Sequence, residues 1–163
     1  LEKENNKKIL EIGCGNGFST NFLEKNTTSK NIFYGCDISS IAIENSKKSY
    51  PNIHFFSHNV KYPFENNEKY DIVIFGDLLW YILNDLKDCI NNSLNILNKG
   101  GKIIFYNAFL EEQKYGKEMI DGFNGLCKFF VRNFPDNKII FEHQSEFLSG
   151  YKIFGIIAIS KHD

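Results

Sequence analysis

The chain has 163 residues, a length that predicts a single compact domain over residues 1–163. Hydrophobic residues make up 42% of it and aromatic residues 15%, which is enough for a sizeable core and argues against disorder. The 19 Lys and Arg are balanced by 20 Asp and Glu, the formal net charge is -1, and Arg132 is the sole arginine. Nucleic-acid binders usually carry a basic excess with several arginines, so nucleic acid is disfavoured as a partner.

No apolar run reaches the roughly 18 to 20 residues of a membrane-spanning helix, and the polar segment 1–8 does not look like a signal peptide. We therefore expect a cytoplasmic protein with no membrane partner. The cysteine spacings match no zinc pattern, so we expect reduced, mostly buried thiols and no metal site. The four cysteines are Cys14, Cys36, Cys89 and Cys127.

Short apolar runs alternate with longer amphipathic stretches along the first two thirds of the chain. The apolar runs predict strands at 8–12, 31–36, 53–56, 71–75 and 102–106. The stretches between them predict helices at 18–25, 41–48 and 84–98, with Ser39 and Ser40 as caps of the second and Gly100-Gly101 as the end of the third. This alternation predicts an α/β protein with a parallel sheet and helices on both faces.

The alternation changes after the fifth strand. Residues 111–133 predict a longer, partly helical connection, and 139–141 and 153–159 predict two further strands. Because the link between these strands is short and has no strong helix signal, we expect them to pair antiparallel.

A glycine cluster, Gly13 to Gly17, follows the first strand and opens the first helix. Glycines let the backbone turn tightly and approach a ligand, and the helix N-terminus behind them presents N–H groups. Asp37, at the end of the second strand, is placed to accept hydrogen bonds from ribose hydroxyls. A structural turn with an N-capping Asp37 is the alternative, but the two features together favour ligand binding. Phe18 replaces the third glycine of the dinucleotide fingerprint, which argues against a nucleotide-binding oxidoreductase domain.

With these residues the sequence resembles the class I S-adenosylmethionine-dependent methyltransferases, over about residues 8–107 and more weakly to 160. The segments that carry the resemblance are, in chain order, 9–17, 34–39, 57–64, 70–81 and 97–102. Five motifs in the right order are far more specific than a glycine loop alone.

The resemblance implies a Rossmann-like, doubly wound sheet of seven mostly parallel strands in the order 3-2-1-4-5-7-6, with strand 7 antiparallel. It also implies S-adenosylmethionine as cofactor and S-adenosylhomocysteine as product. In the third motif, His58 and Asn59 stand where the family usually places an Asp beside the adenine amine, and the Asn59 carbonyl oxygen can accept from an amine. The cofactor-binding residues implied are Glu11, Gly13, Cys14, Gly15, Asn16, Gly17, Asp37, Ile38, His58, Asn59, Val60, Gly76 and Asp77.

The stretch 77–81 looks most like the small-molecule branch of the family, which includes nodulation-type N-methyltransferases acting on amino sugars. It lacks the Asn/Asp-Pro-Pro-Tyr motif of enzymes that methylate amino groups of nucleic acids. The resemblance therefore implies methyl transfer to N or O of a small polar molecule, such as an amine or amino sugar.

Methyl transfer from a sulfonium is an in-line displacement, so the protein mainly aligns donor and acceptor and keeps the attacking atom unprotonated. The candidate catalytic residues are Asp77, Tyr81 and His143, and the candidate substrate contacts are Trp80, Tyr81 and Glu111. Each has a structural alternative. Asp77 could cap a helix, Trp80 and Tyr81 could pack at the rim, His143 could be structural, and Glu111 could begin a charged helix.

Residues 111–133 form the natural lid or specificity element. Many relatives also cover the cofactor with an N-terminal helix, whereas only 1–7 precede the first strand here. We expect that cover to be missing, trimmed or supplied by another subunit, as in a homodimer. A non-catalytic S-adenosylmethionine-binding module that needs a partner chain is the alternative function.

Overall fold

The computed structural model of the chain describes residues 5–27, 30–65, 67–110, 112–146 and 152–161. In these residues helices follow the first, second and fourth strands, and one helix and two further strands follow a long fifth strand. The elements are β1 (Lys8–Ile12), α1 (Phe18–Asn26), β2 (Ile32–Asp37), α2 (Ser40–Ser49), β3 (His54–Ser57), β4 (Tyr70–Gly76), α3 (Leu79–Ile82), a 3₁₀ turn (Leu83–Asp85), α4 (Leu86–Asn95), β5 (Leu97–Leu110), α5 (Gly122–Asn133), β6 (Lys138–Glu146) and β7 (Lys152–Ser160).

The seven strands form one sheet in the order β3-β2-β1-β4-β5-β7-β6. The pairs from β3 to β5 are parallel, whereas β7 pairs antiparallel with both β5 and β6. The predicted strand order and the antiparallel last strand are therefore confirmed. Because β1 to β5 run in one direction, the loops after β1, β2, β3, β4 and β5 meet at a single edge of the sheet, which is where ligands bind in such folds.

Two apolar layers hold the sheet between its helices. On one face, Phe75 of β4 stacks on Phe105 of β5 with ring centroids 4.4 Å apart, and Phe105 packs against Phe130 of α5 at 5.3 Å. On the other face, Ile72 and Ile74 belong to a smaller cluster with residues of α2 and β3. Because β4 is buried on both faces, it reads in the sequence as a continuous apolar run.

The predicted helix at 84–98 is wrong at both ends. The helical region begins at Leu79 with α3 and the 3₁₀ turn, and α4 ends at Asn95. Leu97 is already in β5, where it pairs with Tyr70 of β4, so Gly100-Gly101 lies inside the strand and does not end a helix. Gly100 adopts φ +69°, and the β4–β5 register shifts between Tyr70 and Ile72. Leu97 lies at helical spacing from the apolar residues of α4, but its pairing with Tyr70 places it in a strand.

The connection after β5 is helical only from Gly122 onward, where α5 buries Phe123, Leu126 and Phe130. The predicted short link between β6 and β7 falls on residues 147–151, which lie outside the described part of the chain. Cys14, Cys36 and Cys89 are buried free thiols and Cys127 is a half-buried one. In the described ranges, no helix combines the length and apolar character needed to cross a bilayer.

Candidate functional site

The glycine loop between β1 and α1 turns on three glycines with left-handed backbones. Gly13, Gly15 and Gly17 have φ values of +77°, +52° and +80°. A Cβ on Gly13 would lie 2.7 Å from Leu78 Cδ1, and one on Gly17 would lie 2.8 Å from Phe55 Cζ. A Cβ on Gly15 would meet nothing within 4 Å. The loop is therefore packed at its two ends and open at its middle glycine.

Glu11 lies beneath this loop and is only 2% exposed. Its carboxylate accepts hydrogen bonds from the Ser19 and Thr20 hydroxyls of α1, and from the Tyr106 hydroxyl at 3.4 Å. Burial, together with the Glu11 charge, raises the pKa of Tyr106 to about 12. These partners fix α1 against the end of β1, and the cofactor contact expected of Glu11 stays a prediction.

Asp37, the last residue of β2, links the glycine loop to the next loop. Its Oδ2 accepts the backbone N–H of Gly15 at 2.9 Å, and its Oδ1 accepts that of Ser39 at 2.9 Å. Ser39 in turn caps α2 by accepting from the N–H of Ala42. The carboxylate is thus oriented by two charge-assisted hydrogen bonds, and each oxygen keeps further acceptor capacity for a ligand. Ile38 beside it is 68% exposed and presents an apolar surface at the same edge.

His58 follows β3 and lies next to this site. Its backbone N–H donates to the carbonyl of Asp37 at 3.0 Å, and its ring lies over Phe64 with centroids 3.9 Å apart. Burial lowers the pKa of His58, which favours the neutral imidazole. The ring is therefore a flat, uncharged surface held beside the Asp37 loop.

Asn59 turns the chain after His58. Its Oδ1 accepts the backbone N–H of Lys61 at 3.1 Å, so the oxygen that we expected to face an adenine amine already has one partner. Val60 is buried, and its carbonyl accepts from the Asn92 side chain at 3.0 Å. Val60 therefore serves to pack this loop against α4.

Asp77 follows Gly76 at the end of β4 and has a left-handed backbone with φ +48°. Its N–H donates to the carbonyl of Tyr106 at 2.9 Å, and its Oδ1 accepts the N–H of Ala108 at 3.0 Å. Asp77 does not cap α3, whose N-cap residue is Leu78. The exposed carboxylate is thus tied to β5 through one oxygen, while Oδ2 makes no hydrogen bond within the described residues.

Trp80 and Tyr81 are neighbours on α3 with different surroundings. The Trp80 indole N–H donates to the carbonyl of Ala108 at 3.1 Å, and its ring meets Phe109 edge-on with centroids 5.6 Å apart. Tyr81 is 85% exposed. The Trp80 side chain is therefore held in place by a hydrogen bond and a ring contact, whereas the Tyr81 side chain projects into solvent.

The structure does not bring His143 together with these residues. His143 lies on β6, and β5 and β7 separate that strand from β4. At about 4.8 Å per strand spacing, β6 is about 14 Å from β4. Glu111 lies outside the described residues.

Asn107 belongs to the same edge of the sheet and is not among the site residues that the sequence predicts. It is 2% exposed, and its Oδ1 accepts the N–H of Leu79, the first residue of α3, at 3.2 Å. Its Nδ2 donates to the carbonyl of Ala108 at 3.1 Å. The signal in the sequence was a single amide inside the otherwise apolar run 103–109.

Comparisons with known proteins identify the family of the chain. The family described as methyltransferase domain matches residues 10–105. A candidate methyltransferase of Invertebrate iridescent virus 6 is 31% identical over 112 residues, which are 68% of this chain and 41% of that protein. A malonyl-[acyl-carrier protein] O-methyltransferase of Ilyobacter polytropus is 34% identical over 101 residues, covering 60% of this chain and 36% of that protein. The chain thus spans about two fifths of the length of these curated relatives.

Solved structures share the fold at low identity. An S-adenosylmethionine-dependent methyltransferase of Methanosarcina mazei superposes with a TM-score of 0.72 at 15% identity, over 99% of this chain and 94% of that one. The N-methyltransferase NodS of Bradyrhizobium japonicum, solved with S-adenosylhomocysteine, gives 0.72 at 16% identity over 98% and 80%. The family match covers more than half of the chain and includes the glycine loop, Asp37 and the end of β4. The chain therefore belongs to the methyltransferase domain family.

Proposed function

We propose that this domain is an S-adenosylmethionine-dependent methyltransferase that acts on N or O of a small polar molecule. The observation that carries the proposal is the junction of Asp37 with Gly15. An oriented carboxylate there adjoins a glycine that leaves open space in front of the loop.

The residues at this junction fit the cofactor. Asp37 can accept from both ribose hydroxyls, because each of its oxygens has acceptor capacity beyond its backbone partner. The exposed side chain of Ile38 and the flat ring of His58 suit the faces of an adenine. Gly15 lets the backbone approach the ligand closely. When bound, S-adenosylmethionine supplies the sulfonium methyl group that is transferred.

The remaining residues at this edge suit the acceptor. Asp77 holds a carboxylate oxygen, Oδ2, toward solvent at the end of β4, where it can bind an ammonium group and take its proton before attack. Trp80 supplies a fixed aromatic wall beside it, which also favours a cationic or apolar acceptor. Tyr81, which is 85% exposed on the same short helix, is the third proposed acceptor contact.

The charge at this edge favours an amine or hydroxyl over a carboxylate as acceptor. Two relatives are named malonyl-[acyl-carrier protein] O-methyltransferases, from Ilyobacter polytropus and Bacillus anthracis. An anionic acceptor of that kind would be repelled by Asp77 unless a cation offset the charge. The likeness to NodS, which is named an N-methyltransferase, supports the nitrogen acceptor, including the nodulation-type branch.

We propose that the cover over the acceptor is shorter than residues 111–133. Since α5 buries Phe123, Leu126 and Phe130 in the core, it cannot open without unfolding part of the domain. The irregular segment 112–119 can move without exposing these side chains, whereas Ile120 cannot, because it is fully buried in the same core. The lid is therefore placed there, with the domain itself spanning 1–163.

A non-catalytic S-adenosylmethionine-binding module that needs a partner chain is the second candidate. The Asp37–Gly15 junction supports cofactor binding by itself, and a module of this kind needs none of the acceptor-side residues. Such a module keeps the Asp37–Gly15 junction but lacks a complete acceptor space.

Turnover experiments separate these functions. The purified chain is first titrated with S-adenosylhomocysteine by calorimetry, and then incubated with S-adenosylmethionine and either a panel of amines and amino sugars or a malonyl thioester. Formation of S-adenosylhomocysteine that depends on an amine supports the proposal. Turnover only with the malonyl thioester overturns the acceptor class. Binding without turnover on any acceptor supports the module, and absence of binding overturns both functions.

A further inference from the structure

The backbone N–H and carbonyl of one residue of β5, Ala108, bind side chains from the ends of β4 and β5 and from α3. The N–H of Ala108 donates to Asp77 Oδ1 at 3.0 Å, and its carbonyl accepts from Trp80 Nε1 and Asn107 Nδ2, each at 3.1 Å. The other end of the Asn107 amide accepts the N–H of Leu79 at 3.2 Å. We call this set, formed by Asp77, Leu79, Trp80, Asn107 and Ala108, the Ala108 clamp.

We propose that Asn107 is a positioning residue that sets the orientation of α3, and through it the Trp80 wall of the acceptor space. This inference rests on the proposed function, because it assigns Asn107 to the acceptor side of that same site. Asn107 touches neither acceptor nor cofactor in this role and acts through Trp80 and Leu79.

The size of α3 explains why it needs an external support. The helix has four residues, too few to be stable through its own hydrogen bonds. Its N-cap residue, Leu78, offers no side-chain cap, so the N–H of Leu79 depends on Asn107 for a partner. Leu79 is fully buried and Asn107 is 2% exposed, so water does not readily replace this bond.

The Asn107 side chain needs both a hydrogen-bond acceptor and a donor at this position, and an amide provides both. Asn107 accepts from Leu79 with its oxygen and donates to Ala108 with its nitrogen. A leucine of similar size does neither. An ionised aspartate can still accept from Leu79, but its second oxygen faces the Ala108 carbonyl and repels it. Only a protonated aspartate reproduces both hydrogen bonds.

Trp80 reports on the clamp directly because it is the only tryptophan of the chain. The test compares the emission maximum and acrylamide quenching of Trp80 in the wild type, Asn107→Leu and Asn107→Asp. Asn92→Leu and Asn92→Asp serve as controls, since Asn92 is also a buried amide but bonds to the carbonyls of Val60 and Lys61. Thermal unfolding and calorimetric titration with S-adenosylhomocysteine accompany each variant.

We expect Asn107→Leu to shift the Trp80 emission to longer wavelength and to increase its quenching, with S-adenosylhomocysteine affinity close to that of the wild type. In Asn107→Asp the same change should appear at about pH 8 and should revert as the pH falls toward about 5. The reason is that burial, the Ala108 carbonyl and the nearby Asp77 charge favour the protonated carboxyl. The Asn92 variants lose stability but leave the Trp80 emission unchanged.

Three results overturn the inference. The first is an unchanged Trp80 signal in Asn107→Leu, and the second is an Asn107→Asp signal that does not revert at low pH. The third is an equal spectral change in the Asn92 variants, which reduces Asn107 to a general structural residue. A wild type that binds no S-adenosylhomocysteine overturns the proposed function instead, and with it the acceptor role of the clamp. In that case the expected change of the Trp80 signal in Asn107→Leu still shows that Asn107 orients α3, so the two failures are distinguishable.

Discussion

The Asp37 carboxylate accepts the backbone N–H of Gly15 at 2.9 Å, which joins the end of β2 to the middle of the glycine loop. Two motifs that lie 22 positions apart in the chain therefore form one structural unit. The same carboxylate holds the N–H of Ser39 at the start of α2, so its orientation is fixed before any ligand arrives. Preorganisation of this kind lowers the cost of ordering the site on binding.

Replacing Asp37 with alanine should remove most of the affinity for S-adenosylhomocysteine. Hydrogen bonds to a charged group contribute about 1.5–3 kcal/mol, which corresponds to a loss of roughly tenfold to a hundredfold. The fold should survive with a lower melting temperature, because only two backbone N–H groups near the surface lose their partner. Calorimetric titration measures the affinity, with Asp88→Ala on the exposed surface of α4 as the control. An unchanged dissociation constant for Asp37→Ala would refute the ribose assignment.

Filling the open space at Gly15 should block ligand binding more than it destabilises the fold. A left-handed backbone costs an alanine about 1–2 kcal/mol, and the new methyl group at Gly15 meets no protein atom within 4 Å. Gly100→Ala is a matched control, because Gly100 also has a positive φ, +69°, with nothing within 4 Å, but lies inside β5. Both variants should lose similar stability in urea unfolding, and only Gly15→Ala should bind S-adenosylhomocysteine more weakly. Equal affinities in the two variants would contradict the assignment of this space to the ligand.

Replacing Asp77 with asparagine should weaken binding of the acceptor and spare the fold. Asparagine tolerates a left-handed backbone as aspartate does, and its amide oxygen can still accept from Ala108. The negative charge is lost, so KM for an amine should rise roughly tenfold to a hundredfold, in line with about 1.5–3 kcal/mol for a charged hydrogen bond. Steady-state kinetics provide the measurement, and Asp85→Asn, which loses a surface ion pair with Lys61, provides the control. The role of Asp77 would be excluded by an amine KM equal to that of the wild type.

Alkaline pH should destabilise the domain through its buried thiols. Burial, reinforced by the Glu11 and Asp37 charges, raises the pKa of Cys14 to about 12. In the unfolded chain a thiol ionises near its ordinary pKa of 9.0, so the free energy of unfolding is highest below about pH 9 and falls as the pH rises toward 12. Cys14→Ser should make this fall shallower between pH 9 and 10 in urea unfolding, because serine does not titrate there. Identical slopes in the two proteins would show that Cys14 is not the cause.

Much of the architecture could be predicted because its signals are local. The glycine cluster, Asp37 at a strand end and the alternation of apolar runs are readable without tertiary information. The parallel part of the sheet follows from that alternation, and the order of all seven strands follows from the family resemblance. The continuous apolar run of β4 likewise signals a strand buried on both faces.

The other features depend on contacts between residues that are separated in the chain, which a single sequence does not reveal. Leu97 continues the helical spacing of α4, and only its pairing with Tyr70 places it in β5. The sequence predicts Glu11 as a ligand contact but does not reveal its hydrogen bonds to Ser19 and Thr20, which anchor α1. Asn107 reads as an interruption of an apolar strand, because its partner Leu79 lies 28 positions away.

Thermal unfolding with S-adenosylhomocysteine and, separately, with NAD tests the central claim most directly. A ligand that binds only the native state raises its apparent stability in proportion to RT ln(1 + [L]/Kd). We predict a concentration-dependent rise in Tm with S-adenosylhomocysteine and none with NAD, because Phe18 stands where the dinucleotide fingerprint needs a glycine. No shift with S-adenosylhomocysteine, or a larger shift with NAD, would contradict the assignment of the Asp37–Gly15 junction to S-adenosylmethionine.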